Sequence, residues 1–298
     1  MTQSVFAAIL GVPNVGKSTL LNRIVGEKIA IVSPKPQTTR TRVTGVLTEG
    51  ETQFVFLDTP GIHKPRTLLG EGMIKTIGEA ASGVDAAILL CEPHDAGLSP
   101  VGEFLERLKK SGVPVILCVN KIDTLREKEA LLPIIAKLTE DYDFDAVLPI
   151  SAVSGEGVDE LKAELKKFAV PSPHFFPDDA VTDQPDRVIA AELIREKLLL
   201  TLDHEVPHGI AVEIEQFSTR EDSDILDISA VIYCEKESHK GIIIGKKGAT
   251  LKKTMTAARL DCEAFFGCKV NLRTRVKVKE NWRNRAGFIN SIGMFEQQ

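Results

Sequence analysis

The amino-acid sequence predicts an α/β protein in two parts: a doubly wound, mostly parallel sheet, then a smaller α+β domain. Short apolar runs of strand length alternate with helical patterns through the first 170 residues, as in a parallel sheet covered by helices on both faces. The stretch from Val170 to Pro185 then holds four prolines and three aspartates, a density that neither a helix nor a central strand tolerates. Beyond it the patterns follow the order helix–strand–strand–helix–helix–strand. A length of 298 residues agrees with about two domains.

Taken in order, Val5 to Leu10 is an unbroken apolar run and reads as a strand, and 17–25 follows with helical spacing. Strands are expected near 43–49 and 53–58, and a helix near 72–80. Strand 85–91, helix 99–111, strand 113–119, helix 127–140, strand 146–150 and helix 157–169 complete the first part. Cys91 and Cys118 fall inside apolar strand patterns and read as small core residues. After the prolines, Ile189, Leu193, Ile194 and Leu198 recur at helical spacing and predict a helix over 188–203. Strands near 209–217 and 225–234, a glycine-bounded segment at 241–248, a helix to about 266, a basic strand at 269–278 and a short final helix follow. The expected organisation is a first domain over 1–170, a linker over 171–186 and a second domain over 187–298.

The most informative motif joins the first strand to the first helix: Gly11-Val12-Pro13-Asn14-Val15-Gly16-Lys17-Ser18. Glycines there let the backbone wrap a polyphosphate and turn its N–H groups inward, and the helix N-terminus adds a favourable dipole. Lys17 would reach the β- and γ-phosphates, and the Ser18 hydroxyl would ligate Mg²⁺. A plain glycine turn is the bland alternative, but Lys17 and Ser18 in register between strand and helix weigh against it. The expected ligand is a nucleoside triphosphate.

Asn120-Lys121-Ile122-Asp123 ends the buried strand 113–119 and selects the base. Asp123 can accept hydrogen bonds from N1–H and the 2-amino group of guanine, a donor pair that adenine lacks. Lys121 can lay its stem along the base, and Asn120 can tie this loop to the phosphate loop. Leu148-Pro149-Ile150-Ser151-Ala152 ends another strand, and the backbone amide near Ala152 is expected to meet guanine O6. Between these motifs, Asp58-Thr59-Pro60-Gly61 closes strand 53–58. Asp58 would hold Mg²⁺ through a water, and the Gly61 amide would donate to the γ-phosphate. Gln37-Thr38-Thr39-Arg40-Thr41 lies beside Pro34 and Pro36 and reads as a mobile loop. One of its threonines should complete the Mg²⁺ shell when GTP is bound and let go on hydrolysis.

Charge is informative once divided. The chain carries −5, yet residues 240–285 hold 13 Lys or Arg against 3 acidic residues, so this segment is suited to a polyanion. The basic residues gather around Gly245-Lys246-Lys247-Gly248, preceded by Ile242, Ile243 and Ile244. The Gly-x-x-Gly loop, the helix after it and the element order resemble a type II KH domain, whose loop clamps the backbone of about four single-stranded nucleotides. The isoleucines read as the wall and core of that domain. Lys252, Lys253, Arg273, Arg275, Lys277 and Lys279 are candidate phosphate contacts. The five cysteines form no Cys-x-x-Cys pair and the six histidines no metal-ligand spacing. The N-terminus has no secretory pattern, and no apolar stretch reaches the roughly 18 residues of a membrane span.

The loop Gly-Val-Pro-Asn-Val-Gly-Lys-Ser, Gln-Thr-Thr-Arg, Asp-Thr-Pro-Gly-Ile-His-Lys-Pro, Asn-Lys-Ile-Asp and the C-terminal KH module together resemble the Era family of bacterial GTPases, over essentially the whole chain. The resemblance implies a P-loop GTPase domain followed by a KH domain. It further implies GTP and GDP as ligands, Mg²⁺ as cofactor, and a nucleotide-switched role in small (30S) ribosomal subunit assembly. The implied RNA is 16S ribosomal RNA near its 3′ end, with no DNA target. It places the protein in the cytoplasm with peripheral contact at the inner face of the cell membrane. Related GTPases keep a threonine immediately before the switch arginine, which singles out Thr39. Some hold K⁺ through an asparagine at the place of Asn14; a loop-stabilising role for Asn14 stands equally beside that one.

Ile62 occupies the place where Ras-like enzymes put a water-orienting glutamine, so slow intrinsic turnover is expected. His63 follows with no orienting partner visible in the sequence and reads as a bystander. The competing class is a tRNA-modifying GTPase of the same superfamily, but the cysteine that family carries near its C-terminus is missing after Cys268. A tandem GTPase would need a second phosphate loop, and a binding module without turnover would lose Ser18 or Asp58. A membrane-surface role for the basic segment is the weaker alternative.

Overall fold

The computed structural model describes residues 1–94, 101–140 and 142–294. The chain divides into two compact units, one comprising 1–30, 39–65 and 70–183, the other 31–38, 66–69 and 184–298.

In the first unit, β1 (Gln3–Gly11), α1 (Lys17–Val25), β2 (Val43–Glu49), β3 (Thr52–Asp58), α2 (Leu68–Ala81), β4 (Ala86–Cys91), α3 (Gly102–Ser111), β5 (Val115–Val119), α4 (Leu131–Leu138), β6 (Ala146–Pro149), α5 (Val158–Lys166) and β7 (Val170–Pro171) follow one another. The sheet order is β2-β3-β1-β4-β5-β6. Among the described residues only the β2–β3 hairpin and the short β7–β1 pair are antiparallel. Alternation along each strand supplies two cores. Val5, Ala7 and Ile9 of β1 join Leu20 and Leu21 of α1 and Leu161 and Leu165 of α5, whereas Ala8 and Leu10 join Ile77 of α2 and Leu105 and Leu108 of α3. With period-2 side chains both faces are apolar, which is why these strands read as unbroken apolar runs.

Most boundaries fall close to those expected. The expected start of the third helix at 99 lies outside the described residues. Segment 127–140 resolves into a 3₁₀ turn, Lys128–Ala130, and then α4. The larger correction concerns the linker. Prolines do bar regular structure, but the residues up to Asp183 belong to the first unit and lie as a strap along the sheet. Val170 and Pro171 pair with Ser4 and Gln3. The buried Gln53 accepts from the Phe175 and Phe176 amides at 2.8 and 3.0 Å. Val46 N–H donates to the Val181 carbonyl, and the Thr182 hydroxyl to that of Thr44. Beyond the short β7 pairing, these backbone groups of the strap find partners outside a strand ladder.

The second unit contains α6 (Asp186–Thr201), β8 (Ala211–Thr219), β9 (Ile225–Cys234), α7 (Glu237–Ile244), α8 (Ala249–Phe266), β10 (Lys269–Val278) and α9 (Ala286–Ser291). Its sheet runs β10-β9-β8, with β10 parallel and β8 antiparallel to β9. Leu193 and Leu198 of α6, Ala258 and Cys262 of α8 and Ile228 and Ile232 of β9 meet in its core. Fully buried Trp282 donates through Nε1 to the Gly209 carbonyl at 2.9 Å and fixes the final segment. Among the described residues no helix is long and apolar enough to cross a membrane.

Candidate functional site

The chain leaves the C-terminal end of β1 through the loop 11–16 and enters α1 at Lys17. The neighbouring strands end at the same edge of the sheet, since Ile9 pairs with Asp58 and Gly11 with Leu90. This is the edge at which open α/β sheets bind ligands. Gly16 has φ +102°, and a Cβ there would lie 2.3 Å from Asn120 Nδ2. No side chain fits where the two ligand-facing loops touch. Asn120, itself buried, donates to the Val15 carbonyl at 2.7 Å and accepts from the Ala152 amide at 3.0 Å, so one side chain joins three loops. Lys17 is buried, with Nζ donating to the carbonyls of Gly11 and Val12 at 3.1 and 2.9 Å.

Ser18, Thr39 and Asp58 converge. The Ser18 hydroxyl donates to Asp58 Oδ2 at 2.6 Å and lies 2.9 Å from Thr39 Oγ1. Asp58 is fully buried, and its Oδ1 has no hydrogen-bond partner among the described residues. Two hydroxyls and a carboxylate with an unsatisfied oxygen are the all-oxygen donor set that a hard divalent cation takes. Burial raises the Asp58 carboxyl to about 6 against the pull of Lys17, and burial lowers Lys17 to about 8 against the pull of Asp58.

The segment 37–41 lacks regular structure, but none of its residues is exposed, and Arg40 is buried. Thr39 is drawn down to Ser18, while Thr38 bonds back through its hydroxyl to the Lys35 carbonyl at 2.6 Å. Thr59 donates to the Ile9 carbonyl at 2.8 Å, and a Cβ on Gly61 would meet Pro13 at 2.7 Å, so 58–61 lies flat against the phosphate loop. Ile62 is buried in the sheet core, its amide bonded to the Gly11 carbonyl. His63, for which the sequence shows no orienting partner, has one in the fold. Its Nδ1 lies 2.7 Å from the Gly61 carbonyl, and because a carbonyl only accepts, Nδ1 carries the proton and the ring is oriented.

Lys121 takes a left-handed conformation, φ +67°, donates to the Asn14 carbonyl at 2.9 Å and pairs with Glu92. Ser151 Oγ donates to Asp123 Oδ1 at 2.6 Å and aims that carboxylate. The Ala152 amide, near which the contact to guanine O6 is expected, donates to Asn120 Oδ1 at 3.0 Å. Arg23 on α1 was not legible as part of this site: no motif contains it. It bonds to the carbonyls of Ala152 and Val153 and supports the guanine-facing loop from below.

In the second unit α7 ends at the loop Gly245-Lys246-Lys247-Gly248. Gly245 has φ +71°, and a Cβ there would lie 2.1 Å from Thr250 Oγ1, so only glycine fits. Lys246 and Lys247, like Lys252 and Lys253 on α8, are exposed. Ile243 is core, but Ile242 is half exposed, so the three isoleucines do not form one wall. Along β10, Leu272, Val276 and Val278 face the core while Arg273, Arg275 and Lys277 face solvent. Arg275 pairs with Glu215 across the sheet. Asp227, beside Arg273, is held far below the usual carboxylate range, chiefly by the Arg220 guanidinium. Part of the basic strand's charge is thus met within the fold, and the lysines of 246–253 are the freer cations for a polyanion.

The family profile described as 50S ribosome-binding GTPase matches residues 6–121, and that described as KH domain matches 205–283. GTPase Era of Clostridioides difficile (strain 630) is 50% identical over 293 residues, covering 98% of this chain and 99% of that protein. GTPase Era of Ruminiclostridium cellulolyticum is 47% identical over 98% of this chain and 97% of that protein. Two solved structures superpose with TM-scores of 0.94. One is a variant of Aquifex aeolicus Era bound to GDP and AlF4⁻, at 37% identity with 98% of this chain and 99% of that one covered. The other is Era in complex with MgGDPNP and nucleotides 1506–1542 of 16S ribosomal RNA, at 36% identity with 99% of each chain covered.

Proposed function

The chain belongs to the Era family of GTPases and hydrolyses GTP to GDP and phosphate; from that premise we propose that hydrolysis switches its grip on the 3′ region of 16S ribosomal RNA during 30S subunit assembly. The observation that carries this reading is the presence in one chain of an assembled guanine-nucleotide site and an exposed Gly-Lys-Lys-Gly loop, in the order found in the Era that holds 16S RNA. The amides of 14–18 and Lys17 bind the phosphates, Asp123 reads guanine, and Asn120 keeps the base-reading and phosphate loops in register. Thr39 ties the nucleotide's presence to segment 37–41. Lys246 and Lys247 hold phosphates of the RNA, and a soluble, cytoplasmic protein with peripheral contact at the inner membrane face fits this reading. Crosslinking the purified protein to ribosomal RNA with a GTP analogue and with GDP tests it. Adducts in the 3′ region, stronger in the analogue, are expected; adducts spread over the RNA irrespective of nucleotide would overturn it.

Mg²⁺ suits the oxygens of Ser18, Thr39 and Asp58, and when bound it neutralises the β- and γ-phosphate charge. A proton on Asp58 competes with it. Because burial has raised Asp58 to about 6, the carboxylate form is lost as pH falls through that value, by about tenfold for each unit below it. Mg²⁺-dependent GTP affinity is expected to be about tenfold weaker at pH 5 than at pH 7, with the slope abolished in Asp58→Asn. A nucleotide titration with and without Mg²⁺ across this range checks it.

With Ile62 buried, that side chain orients no water. K⁺ held near Asn14 is the proposed source of additional positive charge. Asn14 stands in a left-handed conformation, φ +65°, in the phosphate loop. GTP turnover is expected to be about tenfold faster in K⁺ than in Na⁺, far short of the roughly 10³ that an arginine finger supplies. Asn14→Ala should remove the difference while nucleotide binding survives. Equal rates in the two salts would remove K⁺ and leave an RNA or protein activator.

A further inference from the structure

The parallel register of the first sheet brings one more charged residue, Glu92, to the nucleotide edge, although it belongs to none of the nucleotide-binding motifs. Gly11 of β1 pairs with Leu90 of β4, and Cys91 of β4 with Val119 of β5. Glu92 directly follows β4 and so emerges between the loop that leaves β1 and the loop that leaves β5. A Cβ on Gly11 would lie 2.7 Å from the Leu90 carbonyl, so the phosphate loop departs hard against this strand. The Asn120 amide donates to the Cys91 carbonyl at 2.8 Å, which ties the base-reading loop to the same strand end. From there the Glu92 carboxylate reaches the Lys121 ammonium, which also donates to the Asn14 carbonyl at 2.9 Å. Lys121 is 33% exposed and Glu92 31%, so water screens the pair only in part.

A lysine stem walls a base well only if it is already extended when the base arrives. A long charged side chain left free in solvent has to be ordered on binding, and that ordering weakens the complex. The two anchors of Lys121 are not equivalent. Asn14 belongs to the ligand-wrapping loop itself, where it stands in a left-handed conformation, whereas Glu92 follows a strand buried along its whole length. The carboxylate therefore fixes the ammonium to the sheet. We infer that Glu92 is a positioning residue for guanine nucleotides: it holds the Lys121 stem extended, ready to cover one face of the base, and acts on the ligand only through that lysine. Pairing also cancels charge, so this wall adds no attraction for a third phosphate, and GTP and GDP should gain from it equally. The inference rests on the reading of Lys121 as a wall of the guanine site, and adds to it the residue that keeps the wall in place.

The test uses the full-length protein and measures GDP release and GTP turnover for Glu92→Gln, Lys121→Met and the double variant. Glu92→Gln keeps the shape of the side chain and removes its charge. It should speed GDP release about fivefold, the scale of ordering one long side chain. KM for GTP should rise by the same factor with little effect on kcat, the pattern of a contact made equally in the ground state and the transition state. In the Lys121→Met background, Glu92→Gln should cost nothing further, because the carboxylate has lost the group it holds. A brace of the strand end alone would instead cost the same in both backgrounds and would lower thermal stability, and that result overturns the inference. So does a fall in kcat at unchanged KM, which would place Glu92 with the chemistry. If Lys121→Met binds GDP too weakly for the cycle, the KM-against-kcat pattern of Glu92→Gln decides alone. Release that is faster in Lys121→Met but unchanged in Glu92→Gln removes Glu92 and leaves the wall, whereas release unchanged in both removes Lys121 from the guanine site itself.

Discussion

In the Asp123→Asn variant, GTP affinity is expected to fall by roughly 10³-fold or more, and the site should come to prefer xanthosine triphosphate. Asp123 is not an isolated surface carboxylate. Ser151 donates to its Oδ1 at 2.6 Å, Lys121 before it is fixed in a left-handed turn, and Asn120 locks the turn to Val15 and Ala152. The carboxylate is therefore held ready for two parallel donors, N1–H and the 2-amino group. An amide in its place presents one oxygen and one NH₂, and the NH₂ faces a guanine donor. Discrimination by such hydrogen bonds reaches roughly 10⁴–10⁵ because the mismatched groups are left unpaired. Xanthine carries a carbonyl at position 2 and accepts from that NH₂. Competition binding with GTP, GDP and their xanthine counterparts measures both effects. A variant that keeps wild-type GTP affinity would mean that the base is read elsewhere.

The parts of this site that could be read from the sequence are those set by neighbours along the chain. Gly16, Lys17 and Ser18 are placed by the passage from β1 into α1, and Asp58 and Asn120 by the ends of strands whose apolar runs are plain. What could not be read depends on side chains meeting backbone across long separations. Asn120 captures the Ala152 amide 32 residues away, and Arg23 reaches the carbonyl of Ala152 over 129. Gln53 takes the amides of Phe175 and Phe176, turning an expected linker into a strap. Charge counting failed in the same way. It marked β10 as basic without showing that Arg275 spends its charge on Glu215, which a residue shift in the β8–β9 ladder near Ile214 and Gln216 helps to present. His63 shows no orienting partner in the sequence, and the fold supplies one by placing the Gly61 carbonyl against its Nδ1.

Replacing Lys246 and Lys247 together by aspartate is expected to abolish RNA binding while leaving GTP binding near normal. Both side chains are exposed and lie outside the core, and Gly245 and Gly248, which set the turn, are untouched. Lys247 stands at φ +52°, a conformation that aspartate tolerates better than most residues, so the loop should persist. Each lysine that neutralises a phosphate contributes about 0.7 to the slope of log affinity against log salt on a single strand. Measured on the single charge-neutral replacements, the slope should drop by about that amount per lysine, which distinguishes lost phosphate contacts from a misfolded loop. The switch imposes a further condition. If the GTP state is the one competent to bind RNA, RNA must raise GTP affinity by the same factor by which GTP raises RNA affinity. A factor of about 5–150 is the usual range for such coupling. RNA titrations with a non-hydrolysable GTP analogue and with GDP give one side of the cycle, and nucleotide titrations with and without RNA give the other. Equal affinities on both sides would mean that the two units are joined by the chain alone, and that hydrolysis times some event other than RNA release.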